Sequence, residues 1–287
     1  MLTCNLMGGL GNQLFQIFTT ISYAMKSHEQ FTFLNVKSLG GNDGSTKRYT
    51  YWDSLLQRLT PFLKSNLSEM VYLKEKSYQY NSFNVQYFMG KNICLYGYFQ
   101  SYKYFQENYK PICNMLEIEK QKNIVTDKIE TICENINSKS LKSTISLHFR
   151  IGDYKKIQQY HPIMTLNYYI RCLQFIKEKK PDIKFNVVYF CEEEDLNDVK
   201  IIIDQLTSKF VDYTFIRAPN VMQDWEQLLL MSCCKHNIIA NSSFSWWGAG
   251  FNSNSEKIVC YPSVWFGPAA EHNTSDLCPL TWTKIDA

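Results

Sequence analysis

Long apolar runs are missing from this 287-residue chain. None approaches the ~18 residues that a membrane span needs, so no spanning helix is expected. The first residues also lack a basic stretch followed by an apolar one, and glycines interrupt them at once, so no secretion leader is expected. Basic clusters are absent as well. The formal charge is only +3, with Lys and Arg scattered, which argues against a nucleic-acid partner. Ten cysteines are present, but no Cys-x-x-Cys spacing, so zinc-ribbon and thioredoxin-like readings have no support. Cys172, Cys191, Cys233, Cys234 and Cys260 fall within expected strands and helices, as small apolar residues would. That pattern fits reduced thiols and a cytoplasmic protein.

What the chain does have is a core. It is 45% hydrophobic and 20% charged, with 19 Tyr and 18 Phe, enough for one large or two ordinary domains. The aromatics fit core packing, and a sugar-stacking surface is the sharper alternative. Apolar and polar segments alternate. Strands are expected at 2–6, 31–36 and 92–99, helices at 12–26 and 115–136, and a loop at 40–51. Leu14, Phe15, Phe18, Ile21 and Met25 lie at helical spacing and define one face of the first helix. After Asn137–Ser140 the rhythm is cleaner: strands at 144–150, 185–191, 212–217, 237–240 and 257–262 alternate with helices at 166–180, 195–210 and 224–234. A further helix opens at Ser243. Such alternation implies parallel sheets built from right-handed crossovers. Two α/β domains are expected, 1–138 and 139–287. Ligands of such folds sit beyond the carboxyl ends of the strands, and three polar segments lie there.

The first is "MGGLGNQLFQ", Met7–Gln16. A dinucleotide fingerprint needs a third glycine where this chain has Leu14, and an acid where it has Asn35, so a hydride-transfer enzyme is disfavoured. Gly9 and Gly11 still permit close backbone approach to a ligand at a helix start, with Asn12 adding an amide. A tight turn with Asn12 as helix cap explains the same residues. The second segment is "LHFRIGDY", Leu147–Tyr154. His148 and Arg150 share one strand face. Arg150 offers a planar fork suited to phosphate, and Asp153 either orients it or accepts a proton; a buried Arg–Asp pair closing the strand is the plainer account. The third is "IIANSSFSWWGAG", Ile238–Gly250. Asn241, Ser242, Ser243 and Ser245 follow an apolar strand and open a helix, forming either an anion cradle or a generous N-cap.

Together with "GYFQSYKYF" at Gly97–Phe105, these segments resemble glycosyltransferase family 11, the α-1,2-fucosyltransferases. "GGLGNQLFQ", "HFRIGDY" and "IIANSSFSWWGA" match its other motifs, in order and across nearly the whole chain. The resemblance implies a GT-B arrangement: two Rossmann-like domains with parallel sheets facing a central cleft, acceptor side first and donor side second. It implies GDP-L-fucose as donor, a glycan acceptor, inversion at the anomeric carbon, and no metal or other cofactor. No Asp-x-Asp occurs to hold a divalent ion against a diphosphate, which agrees. Arg150 is then the expected diphosphate partner, helped by Asn241, Ser242, Ser243, Phe244 and Ser245. His148 would meet the guanine, and Asn12, with Gly9 and Gly11, would lie near the reacting groups.

Asp153 is the first candidate base and His161 the second; a loose transition state without a protein base is the third. Two positions depart from the family pattern. Ile151 stands where many members carry a second Arg, and Gln227 where relatives commonly have Asp against guanine. Glu226 lies about 100° round the helix from Gln227. These departures leave open another nucleotide-deoxyhexose donor. A catalytically inactive glycan-binding homologue is the alternative from a different class.

Overall fold

The computed structural model describes residues 1–41, 46–88, 90–270 and 272–287. Contacts divide the chain into two compact units: residues 1–120 with 272–279, and residues 121–271 with 280–287.

The first unit contains β1 (Leu2–Cys4), α1 (Leu10–Ser27), β2 (Phe33–Leu34), β3 (Ser38–Leu39), β4 (Arg48–Tyr49), β5 (Leu63–Lys64), β6 (Val71–Lys74), β7 (Ile93–Tyr96) and α2 (Tyr109–Met115). Strands β1, β7 and β6 form a parallel sheet in that order. A bridge from Phe31 to Leu2 brings the parallel β2–β5 pair alongside β1. Within the expected loop at 40–51, Arg48–Tyr49 pairs antiparallel with Ser38–Leu39, while residues 42–45 lie outside the described residues.

Helix α1 corrects the one-faced expectation. Met25 is exposed, whereas Gln13, Gln16, Thr19, Thr20 and Ser22 are as buried as Leu14, Phe15, Phe18 and Ile21. Buried amides need partners, and two of these find them. Gln13 Nε2 donates to the carbonyls of Gly8 and Tyr49, and Gln16 Nε2 to that of Gly97. The polar face of α1 is therefore a lacing for loops.

The second unit contains α3 (Ile118–Ile132, whose first turn belongs to the first unit), α4 (Ser138–Leu141), β8 (Thr144–His148), α5 (Leu166–Lys179), β9 (Asn186–Phe190), α6 (Leu196–Lys209), β10 (Thr214–Arg217), α7 (Asp224–Cys233), β11 (His236–Ile238), α8 (Ser243–Gly250), β12 (Val259–Pro262) and β13 (Thr283–Ile285). Six parallel strands run β10-β9-β8-β11-β12-β13. Counted from β8 this is the 3-2-1-4-5-6 order of a Rossmann sheet, with the direction of winding reversing between β8 and β11. The α/β class with parallel sheets read from the sequence is thus borne out in both units. Ile145, Leu147, Val187 and Ile238 are wholly buried, as strands covered on both faces should be. Asn237 ties the centre together: its amide donates to Ser146 Oγ and the Met231 carbonyl, and its oxygen accepts from Asn252.

The long helix expected at 115–136 is interrupted at 116–117, where Glu117 takes a positive φ of 54°. Most of it packs with the second unit. Lys128 bonds Glu226 of α7, and Lys122 bonds the Phe251 carbonyl after α8. The contacts therefore divide at 120, earlier than the polar stretch at 137–140 suggested. The strand at 259–262 is not the last, because Thr283–Ile285 pairs with it.

Candidate functional site

In the first unit, the turn after β1 is shaped by a glycine the motif reading passed over. Gly8 has φ +74°, and a Cβ there would stand 2.4 Å from Asn12 Nδ2. Gly9 is at the N-cap with ordinary backbone, φ −77° and ψ −177°, and a Cβ on it would meet nothing within 4 Å. Asn12 is not the cap. It lies in the first turn of α1, where its Oδ1 accepts from Gln100 Nε2 at 2.9 Å. Gln16 reaches Gly97 in the same way at 3.1 Å. Two sequence motifs, bonded across separations of 88 and 81 residues, are thus stitched at the carboxyl end of one sheet. Ser101 and Lys103 of the second motif turn elsewhere. Ser101 Oγ donates to the Asp276 carbonyl, and Lys103 pairs with the Asp276 carboxylate. Gly11 is buried within α1.

In the second unit the other two motifs meet at the switch point. β8 and β11 are hydrogen-bonded neighbours, with Leu147 opposite Ile238. The segments leaving their carboxyl ends carry His148–Tyr154 and Asn241–Ser245. His148 is buried, with its ring 5.6 Å from that of Phe244 in α8. Among the described residues its Nδ1 has no hydrogen-bond partner. Burial, and then the Arg150 charge, push its pKa down to about 3, so the imidazole is neutral at ordinary pH. Arg150 lies over the Tyr154 ring at 5.0 Å, and the Tyr154 hydroxyl donates to the Asn241 carbonyl at 3.1 Å. One tyrosine therefore supports the guanidinium and ties its loop to the segment that starts α8. Its ring in turn stacks on His161 at 4.8 Å, and His161 packs on Phe266.

The guanidinium is already bonded. One arm meets Asp153, three residues on, and the other meets Glu192, which follows β9. Glu192 was not among the residues singled out from sequence. "CEEED" reads as a helix start rich in acid, yet it leaves a buried strand that pairs with β8, an adjacency that local pattern does not give. Asp195 of the same turn accepts from the Gly152 amide at 2.7 Å, and Lys155 reaches back to Asp195 at 3.2 Å. Ile151, at the place of the family's second arginine, is part of the hydrophobic core.

The start of α8 is capped by Ser242, whose hydroxyl accepts from the Phe244 amide at 3.3 Å. Ser245 is buried and donates to the Ser242 carbonyl. Asn241 holds loops: its amide donates to the carbonyls of Pro162 and Trp265 at 2.9 and 3.1 Å. The far end of α8 is held by cations, as the helix dipole favours. Lys257 donates to the carbonyls of Ala249 and Asn252, and Lys122 to that of Phe251. Gln227 is half-buried on α7 and donates to the Met222 carbonyl. Glu226 cannot stand in for it, because its carboxylate faces Lys128 and caps its own helix at the Gln223 amide. Among the described residues no group of three or more His, Cys, Asp or Glu is placed to hold a metal ion, and no helix is long and apolar enough to cross a membrane. All ten cysteines are free thiols.

Neutral His148, the Arg150 guanidinium and the Ser242-capped start of α8 thus come together at the switch point of a Rossmann-type sheet, the place where ligands of parallel α/β folds sit. Residues 1–274 match glycosyl transferase family 11, and the chain belongs to that family of glycosyltransferases. It is 26% identical over 98% of its length to the α-1,2-colitosyltransferase of Escherichia coli, covering 97% of that protein. It is 31% identical over 67% of its length to the O-antigen biosynthesis glycosyltransferase WbnK of E. coli, and spans only 60% of that relative. Among solved structures it is similar to E. coli ADP-heptose lipopolysaccharide heptosyltransferase II. That match has 16% identity and a TM-score of 0.38, and covers 58% of this chain and 43% of the other.

Proposed function

We propose that the protein transfers a deoxyhexose from a nucleoside-diphosphate donor to a glycan hydroxyl, inverting the anomeric centre. GDP-L-fucose is the donor and the 2-hydroxyl of a terminal galactose or similar hexose the acceptor. One observation carries this reading: Arg150 and the start of α8 belong to adjoining segments at the switch point, joined through Tyr154 and Asn241.

The charge argument follows. As the sugar leaves, positive charge develops on its ring and negative charge on the departing diphosphate. Arg150 and the first N–H groups of α8 take up the negative charge, which stabilises the transition state more than the ground state. No metal is needed for that step. His148, neutral and beside Phe244, can donate or accept toward a nucleobase without adding charge. The acceptor hydroxyl attacks from the opposite face and inverts the centre. Asp153 is the candidate base, with Arg150 bonded to one of its oxygens. Asn12, held by Gln100, lies with Gly9 and Gly11 at the equivalent sheet end of the first unit and serves the acceptor side.

A second reading changes only the donor. Gln227 offers an amide where a carboxylate would accept two guanine N–H groups, and a relative aligned over nearly its whole length is named for colitose transfer. Thermal shift with GDP, UDP and their sugars, followed by turnover of the winning donor with and without EDTA, separates the readings. Stabilisation by GDP and EDTA-insensitive transfer of fucose are expected. Stabilisation by UDP alone, or activity lost to EDTA and restored by Mg²⁺ or Mn²⁺, would sink the reading.

A further inference from the structure

We propose that Glu192 is an anionic placeholder: it occupies the arm of Arg150 that the donor's phosphate takes, so donor affinity is set by competition between them. The inference rests on the reading of Arg150 as the diphosphate partner. Arg150 is well covered, with 17% of its side chain exposed, and both of its arms end on carboxylates. Burial opposes its charge and the two carboxylates offset that cost, holding the guanidinium cationic without a ligand. The two carboxylates are about equally exposed, 47% for Asp153 and 50% for Glu192, and differ in how they are tethered. Asp153 sits in the same short loop, three residues from Arg150. Glu192 comes from the turn after β9. It can swing into water at small cost, because a half-exposed ion pair is weak. A diphosphate offers the fork several oxygens in bonds charged on both sides, which are the stronger kind.

The neighbouring side chains hold the turn while Glu192 moves. Asp195 is pinned by the Gly152 amide and Lys155, and Glu193 by Arg217 at 2.5 Å. With Glu192 in place the cluster of Arg150, Asp153 and Glu192 carries a formal charge of −1, by one cation against two anions. With it turned away the cluster is neutral. The placeholder thus keeps a buried guanidinium paired in the resting protein and discriminates against weak anions, which cannot displace it.

The test is calorimetric binding of inorganic pyrophosphate, at fixed ionic strength, to the wild type, Glu192→Gln, Glu192→Ala, Glu193→Gln and Arg150→Ala. Glu193→Gln makes the same charge change one residue away, on the partner of Arg217. Both Glu192 variants should bind pyrophosphate roughly threefold or more tighter than the Glu193 variant, the size of a half-exposed ion pair. Unfolding midpoints should show all of them folded. If the Glu192 variants bind no tighter than Glu193→Gln, the placeholder is refuted while Arg150→Ala still loses binding. If Arg150→Ala binds like the wild type, or no variant binds at all, the functional reading itself falls.

Discussion

Single side chains decide most of the chemistry. Replacing Arg150 by Ala should lower kcat/KM by roughly 10²–10³-fold, as loss of a preorganised anion partner does elsewhere. Lys should recover little, because an ammonium cannot span two oxygens as the fork does. Steady-state kinetics would check both, and near-normal rates in the Ala variant would place the diphosphate elsewhere. Tyr154→Phe keeps the ring under Arg150 and removes the bond to the Asn241 carbonyl. A neutral hydrogen bond contributes about 1 kcal/mol, so a loss of roughly fivefold in kcat/KM is expected. Tyr154→Leu removes both supports and should lose more, with the difference measuring the ring. At this scale the sequence was half legible. His148 closes β8 as expected, but Arg150 lies two residues past the strand rather than on its face, with Asp153 in the turn that follows. Asn241, Gln13 and Gln16 turned out to be loop straps, because a side-chain amide cannot reveal from sequence which carbonyl will claim it. Glu192 was missed for a related reason: its partner Arg150 follows the neighbouring strand β8, and strand order is not written in local pattern.

Elements were legible where periodicity was long. The buried strands at 144–148 and 186–190 and helices α5 to α8 sit close to their expected positions. β13 escaped because three residues, only partly buried, carry no period. β6 escaped because its half-exposed alternation lies amid polar turns. The first βα turn shows what a glycine reading can miss. Gly8, at φ +74°, carries the conformation, and Gly9 does not. Gly8→Ala should destabilise by about 1–2 kcal/mol from backbone strain alone, and should also push Asn12 away from Gln100. Gly9→Ala should be close to neutral. Urea unfolding of the pair would test this contrast; equal effects would show that the turn is not built as described.

For the whole molecule, buried ionisable groups set the pH range of stability. His148 and His236 are pushed down to about 3 and about 4, in both cases chiefly by burial. Their ordinary value is 6.5, so below it the unfolded chain takes up protons that the folded chain refuses. The stability these neutral rings permit is intact above pH 6.5 and drains away as pH falls toward 4. The slope is at most about 1.4 kcal/mol per pH unit for each histidine. His236→Asn, which keeps an acceptor for the Ile258 amide, should flatten that slope. On the alkaline side, burial raises the thiols of Cys4 (to about 12), Cys94 (to about 11), Cys172, Cys191 and Cys234. The unfolded chain forms thiolates first, so stability falls above pH 9. Lys257, lowered to about 8 by burial and then by Lys122, opposes this with a single group. Denaturant midpoints against pH, under reducing conditions, should therefore peak between the two limits; a midpoint still rising above pH 9 would contradict the balance.

The return of residues 272–279 to the first unit has a consequence for synthesis. Asp276 supplies the partners for Lys103, the Ser101 hydroxyl and the Tyr80 amide. Those groups lie in the first 103 residues, yet their complement is translated 173 positions after Lys103. The amino-terminal unit must therefore keep a buried corner unfinished until residues 272–279 have been made and have cleared the ribosome.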